Sequence, residues 1–147
     1  MNTKLILFLV RISMGWLFLY AGLTKVLNPG WSAAGYLGNA KTFAGFYNWF
    51  LQPGILPFTN FINEWGLTLL GASLLLGVLV KYSGYLGALL MLLYYFPSLD
   101  FPKIGANSYL VDEHIVYALV LIYMVLARAG DHWGINGIFK KPRNQEI

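Results

Sequence analysis

LILFLVRISMGWLFLYAGLTKVL, residues 5–27, is the stretch that decides the fold. It is apolar except for Arg11 and Lys25, and as a helix it is long enough to cross about 30 Å of hydrocarbon. It is too long for the apolar core of a signal peptide, contains Arg11 and ends without a small-residue cleavage site, so it reads as a retained span. Three further apolar segments follow, at about 61–80, 82–99 and 110–129. The sequence therefore predicts an all-α membrane protein, a four-transmembrane-helix bundle forming a single membrane domain over residues 1–147. Spans at about 5–27, 61–80, 82–99 and 110–129 are joined by an interfacial segment at about 31–58 and end in a cytoplasmic tail, 130–147.

Composition points the same way. Of 147 residues, 58% are hydrophobic and 11% charged, against about 25% charged in soluble domains. Mean hydropathy is +0.60. These values exclude an ordinary cytosolic globule and a disordered chain. The pI of 9.3 rests on ten Lys and Arg, placed singly or in pairs at the edges of apolar runs. That is the spacing of topology signals, so the expected partner is the lipid bilayer and not nucleic acid. Lys4, Lys81, Arg128, Lys140, Lys141 and Arg143 fall on one side of the bundle and Lys25, Lys41 and Lys103 on the other. This bias predicts a multi-pass protein of the cell (plasma) membrane with both termini cytoplasmic.

There is no cysteine, which excludes disulfides, thiolate-bound zinc, iron–sulfur clusters and thioether-attached haem. The two histidines, His114 and His132, would lie roughly 27 Å apart on a continuous helix and cannot share a metal ion. No metal site and no covalently bound cofactor is expected. Electrons, if the protein handles them, must pass to a diffusible quinone or a partner subunit.

The connection after the first span is rich in aromatics, from Trp31 to Trp65. Phe43, Phe46, Tyr47 and Phe50 recur at helical spacing, which predicts an amphipathic interfacial helix over Ala40–Leu51 between helices 1 and 2. Pro53 and Pro57 then turn the chain into the second span. The segment reads either as an aromatic belt or as a lid over a cavity for an apolar ligand.

On a helical wheel Arg11, Gly15, Phe18, Gly22 and Lys25 share one stripe of the first span, charged at both ends and small in the middle. Lipid would reject Arg11, so the stripe should face the bundle interior, where the glycines let a second helix come close. Asn60 reads as an N-cap and Glu64 as a first-turn carboxylate of the second helix, Asp112 as the cap of the fourth. His114 has neither task. Up-and-down topology brings Lys25, Glu64, Asp112, Glu113 and His114 to one end, with Lys41 and Lys103 in nearby loops and Tyr94, Tyr95 and Tyr117 just below. Glu64, Glu113 and His114 are the candidate proton-exchanging, catalytic groups. Arg11, Lys25, Asn60, Asn63, Lys103 and Tyr117 are the candidate groups for binding a small anionic substrate or a quinone headgroup.

The order Arg11-x3-Gly15-x6-Gly22-Leu23-Thr24-Lys25, Asn63-Glu64-Trp65-Gly66-Leu67 with Gly71 and Leu74-Leu75-Leu76-Gly77, Asp112-Glu113-His114-Ile115-Val116-Tyr117-Ala118 and Ala129-Gly130 resembles the DoxX/DoxD family over nearly the whole chain. Trp31-Ser32-Ala33-Ala34-Gly35-Tyr36-Leu37 is similar to its DoxD-type loop. The tail departs from the family pattern, reading Asp131-His132-Trp133-Gly134-Ile135-Asn136. The resemblance implies a four-helix membrane protein like the DoxD subunit of thiosulfate:quinone oxidoreductase, which converts thiosulfate to tetrathionate with quinone reduction and has a second subunit. Three functions follow as expectations. The chain is an integral membrane subunit of a quinone-linked oxidoreductase, with quinone as diffusible acceptor. Alternatively it is a non-catalytic structural or assembly subunit, working with a partner subunit or as a homo-oligomer. As a third reading it is a small-solute or ion carrier using Arg11 and Glu64 as intramembrane charges.

Overall fold

The computed structural model describes residues 2–105 and 107–139. The described chain is helical: α1 (Thr3–Val26), α2 (Ala34–Gly38), α3 (Ala44–Trp49), α4 (Leu56–Leu76), α5 (Val80–Ser98), α6 (Glu113–Leu126) and α7 (Ile135–Phe139), with a 3₁₀ turn at Ala129–Asp131. Its β pairing is limited to isolated bridges of Lys103 with Asp100 and Tyr109 in the α5–α6 loop.

The stripe on α1 turns inward. Leu7, Arg11, Met14, Gly15, Phe18 and Gly22 are buried, and α1 lies along α4 as α5 lies along α6. Glycine sets the distance between α1 and α4. A Cβ on Gly22 would strike the Thr68 backbone, and one on Gly71 would strike Leu19 N and come within 2.7 Å of the Gly15 carbonyl. Gly87 does the same for α5, where a Cβ would sit 2.7 Å from a Leu70 methyl and 3.1 Å from one of Leu121. Leu74, Leu121 and Met124, all wholly buried, fill the centre.

Helix boundaries differ from the expected spans for local reasons. The second long helix starts at Leu56, because Pro57 occupies its first turn, where a missing N–H costs nothing. Asn60 is consequently not its N-cap, and Glu64 lies beyond its first turn. It stops at Gly77, whose φ of 67° is the left-handed cap conformation. The next helix starts at Val80 rather than Tyr82. The last long helix covers 113–126 rather than 110–129, and Asp112 caps it as expected, accepting from His114 N at 3.0 Å and Ile115 N at 3.3 Å. The interfacial helix expected over 40–51 is confined to Ala44–Trp49, with a separate turn at Ala34–Gly38, because Phe43 has a φ of 55° and starts the helix afresh.

Residues 41 and 42 are drawn elsewhere, to the end of α5. Pro97 lies inside that helix and lacks the N–H that would have bonded the Leu93 carbonyl. Tyr47 Oη donates to Leu93 O instead, at 3.0 Å. Tyr36 Oη donates to Tyr94 O, Lys41 N to Pro97 O at 3.2 Å, and Thr42 Oγ1 to Leu99 O at 2.6 Å. The α1–α4 connection is thus fastened to carbonyls at the C-terminal end of α5.

Arg11 performs the corresponding task at the other end. Its side chain is fully buried. Nη1 donates to Leu74 O at 2.6 Å and Leu75 O at 3.3 Å, and Nη2 to Trp133 O at 3.1 Å and His132 O at 3.3 Å. The first pair belongs to the C-terminal turn of α4, where the helix dipole favours a cation. The second pair draws the segment after α6 against the bundle, with Trp133 edge-on to Phe8 at 5.3 Å.

By length and composition α1 can cross a membrane, and α6 is apolar but shorter. Leu69, Leu86, Leu89, Leu119 and Leu126, on α4, α5 and α6, are each more than half exposed. Lys140, Lys141 and Arg143, part of the orientation argument, lie outside the described residues.

Arg11→Met should leave buried carbonyls on two segments without donors, at about 1–3 kcal/mol for each unsatisfied group. The expected result is a markedly lower Tm in detergent, with Arg11→Lys in between because one ammonium cannot serve both carbonyl pairs. An unchanged Tm for Arg11→Met contradicts the clamp. Gly71→Val should also lower Tm, by overpacking worth about 1–3 kcal/mol, whereas Gly54→Ala, with open space around it, should not.

Candidate functional site

At the end of the bundle away from Arg11, α1, α4, α5, α6 and the α1–α4 connection enclose a cavity of about 380 Å³. Leu17, Phe18, Ala21, Leu67 and Met91 form apolar walls; Trp31, Ser32, Ala33 and Tyr36 come from the connection, and Lys25, Asn63, Tyr94, His114 and Tyr117 complete the lining. The aromatic connection therefore takes part in enclosing the cavity while Phe43, Phe46 and Trp49 stay exposed.

Lys25 stands in the last turn of α1. Its Nζ donates to Ala21 O at 3.0 Å and lies 5.5 Å from the centre of the Trp31 ring. An ammonium has three donors, so two are left for a ligand. His114 stands in the first turn of α6. Its Nδ1 is 2.6 Å from Asp112 Oδ2, while Asp112 Oδ1 caps the helix. The carboxylate holds the proton on Nδ1, fixes the ring plane and leaves Nε2 to act. The Tyr94 ring meets His114 edge-on at 5.9 Å. Its hydroxyl donates to Asn63 Oδ1 at 2.5 Å, and Asn63 Nδ2 donates to Thr59 O at 2.8 Å.

The tyrosines of the connection are neutral donors. Burial pushes the Tyr36 phenol above its ordinary value; its 2.7 Å hydrogen bond with Ser98 acts against this, and the Asp112 charge adds to it. Burial, with a smaller effect of Tyr36, pushes Tyr47 up to about 12. Both phenols therefore keep their protons, and their bonds to α5, through the physiological range.

Of the residues singled out from sequence, Lys25, Asn63, His114 and Tyr117 come together on this cavity. Asn60 does not line it, but its Oδ1 accepts from Ala33 N at 2.9 Å and so positions one wall. Glu64 is half-buried and Glu113 exposed, and neither lines the cavity. Each is the immediate neighbour of a lining residue, and adjacent positions on a helix point about 100° apart. Lys103 is exposed in the α5–α6 loop, its backbone paired with Asp100. Arg11 is at the opposite end. The carboxylate on His114 is Asp112, which the sequence placed at this end as a helix cap but not among the candidate site residues. The signal was present: an N-cap Asp two residues before a His has one oxygen for the backbone and one for the ring. Tyr36 and its tie to α5 had no sequence signal of their own.

These features define a helical protein with a long apolar first helix, an apolar exterior and a polar-lipped cavity at one end. The DoxX family profile matches residues 6–97. The chain belongs to the DoxX family and is a membrane protein of that family. Neither the curated proteins nor the solved structures provide a match. The family match ends within α5, so it includes Lys25, Asn63 and Tyr94 and leaves Asp112, His114 and Tyr117 beyond it.

Tyr47→Phe keeps the ring and removes only the donor to Leu93 O, a bond worth about 1 kcal/mol. Hydrogen-exchange mass spectrometry should show roughly fivefold faster exchange across residues 34–50. Unchanged exchange there means that ring packing alone holds the connection.

Proposed function

We propose that this chain is the quinone-binding membrane subunit of an oxidoreductase, crossing the membrane four times with both termini cytoplasmic, and that the cavity takes the quinone headgroup. One observation carries the reading: a single apolar-walled cavity presents uncommitted polar groups from two helices, the Lys25 ammonium on α1 and the His114 Nε2 on α6. A para-quinone has a carbonyl at each end of a flat apolar ring and needs donors from two directions. The volume suits a small organic ligand. The four-span arrangement is supported by the exposed leucines of α4, α5 and α6, which lipid would cover.

In this reading Lys25 polarises one carbonyl. When His114 carries a second proton, its Nδ1 bonded to Asp112, it donates from Nε2 to the other. Reduction to the quinol takes two electrons and two protons. As the electrons arrive, the Nε2 proton passes to the quinone oxygen and the ring becomes neutral, still bonded through Nδ1 to Asp112. Its partly exposed edge then takes a proton from water, and a second proton reaches the other oxygen from water at the rim. The electrons come from outside this chain. The family resemblance points to thiosulfate, two of which join as tetrathionate with release of two electrons, at a partner subunit. The apolar walls suit the neutral quinone better than a dianion. The carrier reading loses support, since the Arg11 charge is committed to carbonyls.

Binding of a tail-less quinone, 2,3-dimethoxy-5-methyl-1,4-benzoquinone, followed by tryptophan fluorescence in detergent, tests the site. Lys25→Met and His114→Leu should each weaken binding about tenfold, since a hydrogen bond to a charged group is worth about 1.5–3 kcal/mol. Asp112→Asn keeps a good N-cap and should weaken binding without lowering Tm. Equal affinity in all four proteins overturns the quinone reading and favours a non-catalytic assembly subunit. Topology is checked separately in this cysteine-free chain. Asn39→Cys and Asn107→Cys should react with an impermeant maleimide outside intact cells and Lys81→Cys only after permeabilisation; the reverse pattern inverts the orientation.

A further inference from the structure

A second, smaller cavity of about 130 Å³ adjoins the first. The two share Ala33, Tyr36, Asn63 and Tyr94, so these four residues form the partition between them. Beyond the partition the walls are mainly apolar, with Leu37, Leu90 and Leu93 deep and Phe58 and Ile62 toward the surface. Phe58 is 65% and Ile62 43% exposed, so this side of the cavity faces the protein exterior.

The polar groups around it are already committed. Thr59 Oγ1 donates to Ile55 O at 3.1 Å and Asn63 Nδ2 to Thr59 O at 2.8 Å. Tyr47 Oη donates to Leu93 O at 3.0 Å, Tyr36 Oη to Tyr94 O, and Tyr94 Oη to Asn63 Oδ1 at 2.5 Å. A polar ligand entering here would give up its water and find little in return, since of these groups only the Asn63 amide keeps a second hydrogen. A hydrocarbon would lose nothing. The main cavity differs in kind, because Lys25 Nζ and His114 Nε2 remain available to a ligand.

We infer that the smaller cavity holds the first isoprenoid unit of the quinone's side chain, which passes the Tyr36–Tyr94–Asn63 partition and leaves for the bilayer between Phe58 and Ile62. The assignment rests on the headgroup reading above and adds the ligand class, a prenylated quinone, together with the direction in which it lies. The volume agrees: an apolar protein cavity of about 150 Å³ accommodates a six-carbon ring, and one isoprenoid unit has five carbons. Tyr36 and Tyr94 thereby become specificity-determining residues, since they stand in the partition and their hydroxyl bonds hold it in place. The rest of the chain would emerge beside the exposed aromatics of α3 and α4, where Phe46, Trp49 and Phe61 lie.

The experiment compares two probes on the full-length protein in detergent: the tail-less quinone used above and its homologue carrying one isoprenyl unit. The prenylated probe should bind at least threefold tighter to the native protein. Ile62→Trp and Leu37→Phe each add bulk to the smaller cavity without touching the larger. They should remove that advantage while leaving the affinity for the tail-less quinone within a factor of two. A preference that persists in either folded variant overturns the tail assignment and leaves the headgroup reading intact. Absence of tail-less binding to the native protein overturns both. A measurement independent of these variants uses a diazirine on the isoprenyl unit of the probe. Photolabelling should map to residues 58–62 or 90–93, and labelling confined to the α1–α6 side of the main cavity overturns the assignment.

Discussion

A helix leaves its last four carbonyls without intrahelical donors, and where no water reaches them something else must supply the hydrogen. Much of this architecture follows from how that requirement is met at two helix ends. At α4 the cap N–H groups of Gly77 and Val78 reach Leu74 O and Ser73 O, and Arg11 of α1 adds donors to Leu74 O and Leu75 O. At α5 the need is larger, because Pro97 removes a further N–H, and the donors are Tyr47, Tyr36, Lys41 and Thr42 of the α1–α4 connection. The first solution draws the segment after α6 onto the bundle. The second lays the connection across α5 and closes a cavity beneath it.

The guanidinium is an instructive case of a buried charge. Among the described residues its acceptors are carbonyl dipoles, two from the end of a helix and two from a turn. Such an arrangement avoids a second desolvated ion, which a buried salt bridge would require. It also demands geometry that only a planar fork gives, since Nη1 and Nη2 serve different segments. The absence of a side chain at Gly77, whose Cβ would lie 2.5 Å from Nη1, makes room for it. Gly77 is therefore required twice, for its positive φ and for the space.

The helical stripe on α1 was legible because period and burial coincide: Arg11, Gly15, Phe18 and Gly22 are one face at 3.6 residues per turn, and that face meets α4. The end-to-end convergence of Lys25, Asn63, His114 and Tyr117 was legible for the same reason, since up-and-down topology fixes the level of each residue. What could not be read was azimuth within a level. Glu64 and Glu113 share the level of Asn63 and His114 and lie one position away, which is enough to turn them from the cavity. Pro57 misled because proline marks both a turn and a first helical turn, and the choice depends on residues before it. The docking of Tyr36 and Tyr47 depends on carbonyls some fifty residues away, a long-range matter without local periodicity. The isolated period of Phe43, Phe46, Tyr47 and Phe50 consequently suggested a longer helix than the backbone forms.

The two ends of the bundle differ in what their cations still have to give. Both carry a cation from α1, at the two ends of one stripe. The guanidinium of Arg11 has both terminal nitrogens occupied by main-chain acceptors, and its remaining Nε is buried without an acceptor among the described residues. Lys25 has a single acceptor on its own helix and an aromatic face beside it. His114, on the lining of the same cavity, has one nitrogen tied by Asp112 and the other uncommitted. A similar contrast separates the two cavities, one bordered by the Lys25 ammonium and His114 Nε2 and the other by polar side chains largely bonded within the fold. Where the fold has consumed its polar groups it can offer only packing, and where it has left them free it can offer recognition and proton transfer. That distribution, more than any single motif, is why the proposed ligand site lies beneath the connection while the Arg11 end holds the bundle together.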